Sequence, residues 1–437
     1  MKESTDIKQY FINQFNEFEK SLNGEKSSDF HKVRKDAISK FSELTFPTQK
    51  DEEWKYTNIS PLFNYNFIAG KKFQVDKNII DKFLFDELEH SLMVFVNGHY
   101  APELSRIEDL PKSVKVSSLA EEIKNNNPVV AKYFGKYAKQ ENQIFTALSA
   151  AFTKDGAFIY VPDGKVVENA IHIIFLTTSD QKIYTQPRNL FVIGKNSQAT
   201  IIEHYISDDN ACIYFTNSVT EIVADENAVV DHIKLQKESK NAFHIARMEV
   251  DQEKSSNFSS HLISTGAQLS RNDFNARFND EGGECMLNGL FMIGDEQLFD
   301  AHTMIDHAKP HCQSHEHYKG ILQDKAKGVF NGKVMVRQDA QKTNAFQENN
   351  IILLSNDAVM NTKPQLEIFA DDVKCSHGAT IGKLDQEALF YLKSRGIGDE
   401  AATAIMIHAF ASDVITSIKI PALRDYLEKI ITQRFNQ

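Results

Sequence analysis

Thr200-Ile-Ile-Glu-His204, Ala228-Val-Val-Asp-His232 and Asn257-Phe-Ser-Ser-His261 line up at spacings of 28 and 29 residues. The step continues to Met286-Leu-Asn-Gly289, His315-Glu-His317, Asn344-Ala-Phe346 and Lys374-Cys375. A near-constant step suggests a solenoid, each repeat closing one coil and stacking on the last. A sandwich or barrel with chance spacing is the alternative. Between Gly156 and about Gly382 short β-branched and aromatic runs alternate with Gly, Asn and Asp, as in Ala157-Phe-Ile-Tyr-Val161 and Ala170-Ile-His-Ile-Ile-Phe-Leu176. No helical pattern of convincing length interrupts them, so the region reads as all-β. The last rung of a coil leaves an open edge that needs a cap.

The flanks read differently. Residues 4–45 step apolar side chains by three or four: Ile7, Tyr10, Phe11, Phe15, Phe18 and Leu22, then Val33, Ile38, Phe41 and Leu44. This predicts an amphipathic helical hairpin that breaks near Asn23-Gly24. Glu53-Trp-Lys-Tyr-Thr57 follows, with Trp54 and Tyr56 expected to pack a loop onto the next domain. Residues 61–150 are mixed α/β and residues 151–383 the coil. Residues 384–437 are helical: Asp385 suits an N-cap, Lys393 and Arg395 suit a helix C-terminus, Gly396 suits C′. Further helices open near Asp399 and at Pro421.

The chain has 437 residues, enough for two or three units, with a formal net charge of -11. That balance argues against sequence-independent binding to nucleic acid or to an anionic membrane. The N-terminus lacks the apolar segment of a signal peptide, and Ala401–Ser412 is too short to span a bilayer. Cys212, Cys285, Cys312 and Cys375 have no CxxC spacing and read as free thiols of a cytoplasmic protein.

Four patterns carry possible chemistry. Gly396-Ile-Gly398-Asp-Glu-Ala401 formally matches a dinucleotide fingerprint, but it follows a helix where the motif must follow a strand. No phosphate-binding P-loop is present, so the chain is expected to bind no nucleotide itself. His302, His307, His311, His315 and His317 fall in a dense cluster, either a zinc site or polar side chains bridging coils. His204, His232 and His261 are expected to stack as a structural column. Cys375 and His377 lie two apart in an extended stretch, so they share a face and present one sulfur and one nitrogen. Such a pair suits zinc, copper or iron–sulfur clusters, but two ligands are not a site: either a partner chain supplies the others, or the pair is an ordinary buried cysteine and a turn histidine.

Val373-Lys-Cys-Ser-His-Gly-Ala-Thr-Ile-Gly382, continuing as Leu384-Asp-Gln-Glu-Ala-Leu-Phe-Tyr-Leu-Lys-Ser-Arg-Gly-Ile397, resembles the C-terminal signature of the SufD family. So do Asp306-His-Ala-Lys-Pro-His-Cys312, Tyr318-Lys-Gly, Gly328-Val-Phe-Asn-Gly-Lys333 and Arg337-Gln-Asp-Ala-Gln-Lys-Thr343, while Glu53-Trp-Lys-Tyr-Thr57 is similar to the family's N-terminal motif. The resemblance implies a parallel β-helix core between helical ends. It implies a non-catalytic subunit of the SUF iron–sulfur assembly complex, paired with a homologous SufB and the ABC-type ATPase SufC. A transient cluster or iron would be shared with SufB at an interface holding Cys375 and His377, the histidine being the better-supported ligand. The ATPase would dock on the C-terminal helices, where Leu384, Asp385, Phe390, Tyr391, Arg395 and Gly396 form the candidate interface. A homodimer in isolation is a further expectation. Two other classes stay open: a carbohydrate-active β-helix enzyme using Asp300, Asp306 and Glu316, and a metal-binding protein built on the histidines of 302–317.

Overall fold

Alternate strands of the β-rich region build opposite walls of one coil. The structure, a computed structural model, describes residues 4–22, 29–86, 88 and 90–435. One sheet runs from Arg188–Ile193 through Tyr214–Ala224, Phe243–Gln252, Leu269–Phe278, Leu298–His307 and Lys327–Val336 to Val359–Ile368. The other runs from His90–Val96 through Ala170–Thr177, Gln198–Ser207, Val229–Lys237, Asn257–Ser264, Glu284–Ile293, Gln313–Leu322 and Asn344–Leu353 to Lys374–Gly382. The chain crosses between the walls at every turn, and successive coils pair in parallel. The result is a parallel β-solenoid of about eight turns between helical ends.

Tight corners make this possible. Asn196, Asn227, Ser255, Gly282, His311 and Lys342 all adopt positive φ, one at each of six successive corners leading into the second sheet. Glycine and asparagine accept that conformation most readily.

The step is not uniform. Val229 pairs with Gln198, 31 positions back, whereas Asn257 pairs with Val229 after 28 and Glu284 with Asn257 after 27. The last coils take 31 and 30, pairing Asn344 with Gln313 and Lys374 with Asn344. The expected column of His204, His232 and His261 therefore does not form. Leu235 stands opposite His204, and Ile233 opposite His261. A slip of one residue moves a side chain to the other face of the sheet. His232 points inward and bonds Glu203 (3.1 Å) and Ser260 (3.0 Å). His204 stacks on His172, and His261 reaches Ser417 (3.0 Å) and Asn288 (3.2 Å).

The helices cover the outer faces. Ser4–Ser21 and Asp29–Glu43 pack Phe11, Phe15, Phe18 and Phe41 against Phe152, Tyr184, Phe215 and Phe243. The expected break between these two helices lies outside the described residues. At the other end of the chain, Asp399–Ser417 and Pro421–Phe435 set Ile407, Val414, Ile415, Leu423, Leu427 and Ile431 against Ile233, Leu235, Ile263, Leu290, Met292 and Ile321. Burying each such side chain contributes about 1.5–3 kcal/mol. Among the described residues no helix is long and apolar enough to cross a membrane.

Candidate functional site

The solenoid ends on two edge strands, Val359–Ile368 in one wall and Lys374–Gly382 in the other. Each is hydrogen-bonded on one side only, which leaves a row of unpaired backbone groups. Large apolar side chains are exposed in or next to the last three strands: Phe346, Val359, Ile368, Phe369 and Ile381. An exposed apolar patch beside unpaired strand edges marks an interaction surface.

Cys375 and His377 lie on the last strand, opposite Ala345 and Gln347 of the preceding coil. Ala345 and Gln347 are both buried, with exposed Phe346 and Glu348 alternating between and after them. Register partners share a face, so Cys375 and His377 point toward the coil interior at its uncovered end. Cys375 is half-buried against Val334, Val336, Ala340 and Ala345. Burial pushes its thiol above the ordinary range, so the thiolate is disfavoured there. His377 is exposed, and among the described residues neither ring nitrogen has a hydrogen-bond partner. The other cysteines are also free thiols, Cys285 and Cys312 fully inside.

Beyond the strand, Asp385 caps the helix Gln386–Ser394 by accepting from the backbone N–H of Glu387 (2.8 Å) and Ala388 (3.3 Å). Gly396 closes it with φ of 86°. This helix buries none of its residues; Phe390 is 74% and Tyr391 57% exposed, with Arg395 over the Tyr391 ring. Leu384 packs at the edge of the helical core.

The histidines of 302–317 do not converge. His302 bonds Asp300 (3.0 Å) and Glu53 (3.2 Å), His307 bonds Ser314 (2.8 Å), His311 sits at a corner, and His315 stacks on Phe346. Among the described residues no group of three or more His, Cys, Asp or Glu could hold a metal ion. Of these contacts only the stacking of His315 on Phe346 bridges neighbouring coils. Nor do the three carboxylates form a catalytic pair. Asp300 is held by Arg271 (2.9 Å), Asp306 by Arg337 (2.7 and 2.8 Å), and Glu316 lies inside the coil.

The segment Glu52–Thr57 crosses the outer face of the first sheet as a strap. Trp54 stacks on the Arg271 guanidinium at 3.7 Å, Glu53 also accepts from Asn331 (3.1 Å), and Thr57 donates to Asp300 (2.5 Å). Burial disfavours the charged form of His302, but Asp300 and Glu53 outweigh it and raise its pKa to about 9. Trp54 thus packs onto the coil as expected, whereas Tyr56 stays exposed, and the ionic network beneath Trp54 has no local signature.

A model of the SUF system FeS cluster assembly SufBD core domain matches residues 175–410, and one of the SufBD protein N-terminal region matches residues 5–173. An iron–sulfur cluster assembly SufBD family protein of Synechocystis is 35% identical over 421 residues, covering 94% of this chain and 93% of its own. The iron–sulfur cluster assembly protein SufD of Escherichia coli is 31% identical over 393 residues, covering 89% of each chain. The SufB of Bacillus subtilis is 25% identical over 342 residues, 76% of this chain and 72% of its own. The chain belongs to the SufBD family, on its SufD side, and its role lies in SUF iron–sulfur cluster assembly.

Proposed function

From this SufBD-family membership we propose that the chain is a non-catalytic, cytoplasmic scaffold subunit that pairs through the bare end of its solenoid with a SufB-type homologue. The cluster is its cargo, formed across that interface. His377, with Cys375, supplies one side of the coordination and the homologue the other. The observation that supports this reading is the coincidence, on one uncovered end, of two unpaired strand edges, an exposed apolar rim and an inward-facing thiol and imidazole. Two ligands from one chain are too few for a closed site, so a second chain fits the geometry. The exposed helix Gln386–Ser394 is the docking element for a SufC-type ATPase, through Leu384, Asp385, Phe390, Tyr391, Arg395 and Gly396. The ATPase supplies the nucleotide chemistry that this chain lacks. In isolation the same bare end pairs two copies as a homodimer.

Anaerobic co-expression with SufB- and SufC-type partners, followed by iron and sulfide counts on the purified complex, tests this. His377→Ala should leave the complex intact and lower both counts. Full counts in that variant would remove the ligand assignment. Charge reversal at Glu387 and Lys393 should reduce ATPase co-purification while leaving SufB-type pairing. Undiminished ATPase co-purification counts against docking on this helix.

A further inference from the structure

Behind His377 the interior of the last coils carries a ladder of polar side chains. Glu316, Gln347 and His377 are register partners on three successive strands of one wall. Glu316 and Gln347 are each 2% exposed. Thr303, from the opposite wall, donates to Glu316 Oε2 (2.6 Å), and Gln347 Nε2 donates to the same oxygen (3.2 Å). Burial raises the Glu316 pKa to about 7. Gly332, also on the opposite wall, lies so close that a Cβ there would overlap the Gln347 amide nitrogen. The amide is therefore held from behind and from across.

Two atoms of this ladder are left over, Glu316 Oε1 deep in the coil and Gln347 Oε1 on the rung next to His377. Gln347 Oε1 is buried and has no hydrogen-bond partner among the described residues. A buried amide oxygen left unpaired costs about 1–3 kcal/mol, and native structures rarely leave one without a reason. The next rung outward is His377, whose ring also lacks a partner, one strand spacing of about 4.8 Å away on the same face. A neutral imidazole donates from one nitrogen and accepts or ligates with the other. A ligating histidine nearly always gives its remaining N–H to a fixed acceptor, which sets the tautomer and the ring direction.

Building on the ligand role of His377 given above, we propose that Gln347 is its positioning residue: the Gln347 side-chain carbonyl accepts the N–H of one His377 ring nitrogen when a partner covers this end, leaving the other nitrogen's lone pair free for iron. Glu316 and Thr303 fix the amide so that its oxygen, and not its NH2, faces the histidine. Gln347 itself touches no iron.

The test uses the complex co-purified with SufB- and SufC-type partners, with ferrous iron affinity read by chelator competition under anaerobic conditions. Gln347→Met keeps the side-chain length and removes the acceptor; affinity should fall about 10- to 100-fold, with complex assembly and melting temperature preserved. The exchange Glu316→Gln with Gln347→Glu keeps one carboxylate and one amide in the ladder and an acceptor at 347. It should restore affinity to within about threefold of the parent, a rescue that a packing role for Gln347 does not give. His377→Ala is measured in parallel. If it loses affinity while Gln347→Met does not, or if the exchange fails to rescue, the positioning role is wrong and the ligand reading stands. If His377→Ala itself binds iron like the parent, the ligand reading falls first.

Discussion

The two ends of the solenoid are built from the same parallel strands and finished in opposite ways. At the first end every residue of His90–Val96 is buried, an antiparallel turn brings His99–Tyr100 back against it, and Ile80, Ala101 and Leu104 pack over Val94 and Val96. At the last end only Val373 and Cys375 of the final segment are partly covered, and most of Lys374–Gly382 faces solvent. Strand pairing alone does not explain this contrast, because both strands make a full parallel ladder with one neighbour. The closed end serves stability. The open end is the surface to which the proposed pairing assigns a partner.

The widest gap between the ends should appear when each receives a buried-side charge. Val94→Asp puts an unpaired carboxylate in a fully buried position and should cost more than about 4 kcal/mol in chemical denaturation. Ala379→Asp, on the exposed final strand, should stay within about 0.5 kcal/mol of the parent when the isolated chain is diluted to its monomer. Similar losses at both positions would mean that the last coil is not open in solution.

The C-terminal helices repeat the contrast in miniature. Leu427→Ala empties a site in the apolar layer under Pro421–Phe435 and should cost about 2–5 kcal/mol. Phe390→Ala on the exposed helix should change stability by no more than about 0.5 kcal/mol. Limited proteolysis of the two variants distinguishes them: the first releases C-terminal fragments, the second does not.

Two histidines sharpen the comparison by pH. Burial beneath Phe83, Phe85 and Tyr426, with Lys237 adding like charge, lowers the His204 pKa to about 3. The unfolded chain binds that proton near pH 6.5 and the folded chain does not. Stability from this group is thus complete above about pH 6.5 and falls by about 1.4 kcal/mol per pH unit below it. His204→Gln should flatten the acid limb of the stability profile; an unchanged slope would place the effect elsewhere. His302, raised to about 9, behaves oppositely: its contribution is complete below about pH 6.5 and is lost as pH rises through 9. His302→Gln should remove that smaller alkaline loss, read from melts between pH 7 and 10.

Much of the architecture was legible from residues alone. Strand runs, the helix cap at Asp385, the positive-φ Gly396 and the start at Pro421 are local features, and each is where its residue type suggested. The approximate repeat identified the coil because every coil must return to the same wall. It could not fix which residues meet, since corners absorb extra residues while the strands from Gln198–Ser207 onward stay 8–11 long. This is why a column of histidines read from a 28–29 step dissolved at a 31-residue coil. The same limit hid Gln347 behind His377, a pairing that needs a step of 30. The strap network escaped for a different reason: Glu53 and His302 are 249 residues apart, and their ion pair exists only because the strap crosses that coil.

The anchoring of the C-terminal helices has a mechanical corollary. Lys319 binds Asp413 (2.5 Å) and the Phe410 carbonyl (2.8 Å), and Lys419 binds Asp231 (2.9 Å). These anchors grip strands at Val229–Lys237 and Gln313–Leu322, so the two long helices are riveted across four neighbouring coils, two coils short of the terminal strand. These contacts tie the helices to the hydrogen-bonded ladders of that wall. The helix Gln386–Ser394, by contrast, buries none of its residues and is held to the long helices through Leu384 and the Lys393–Asp399 ion pair (2.5 Å).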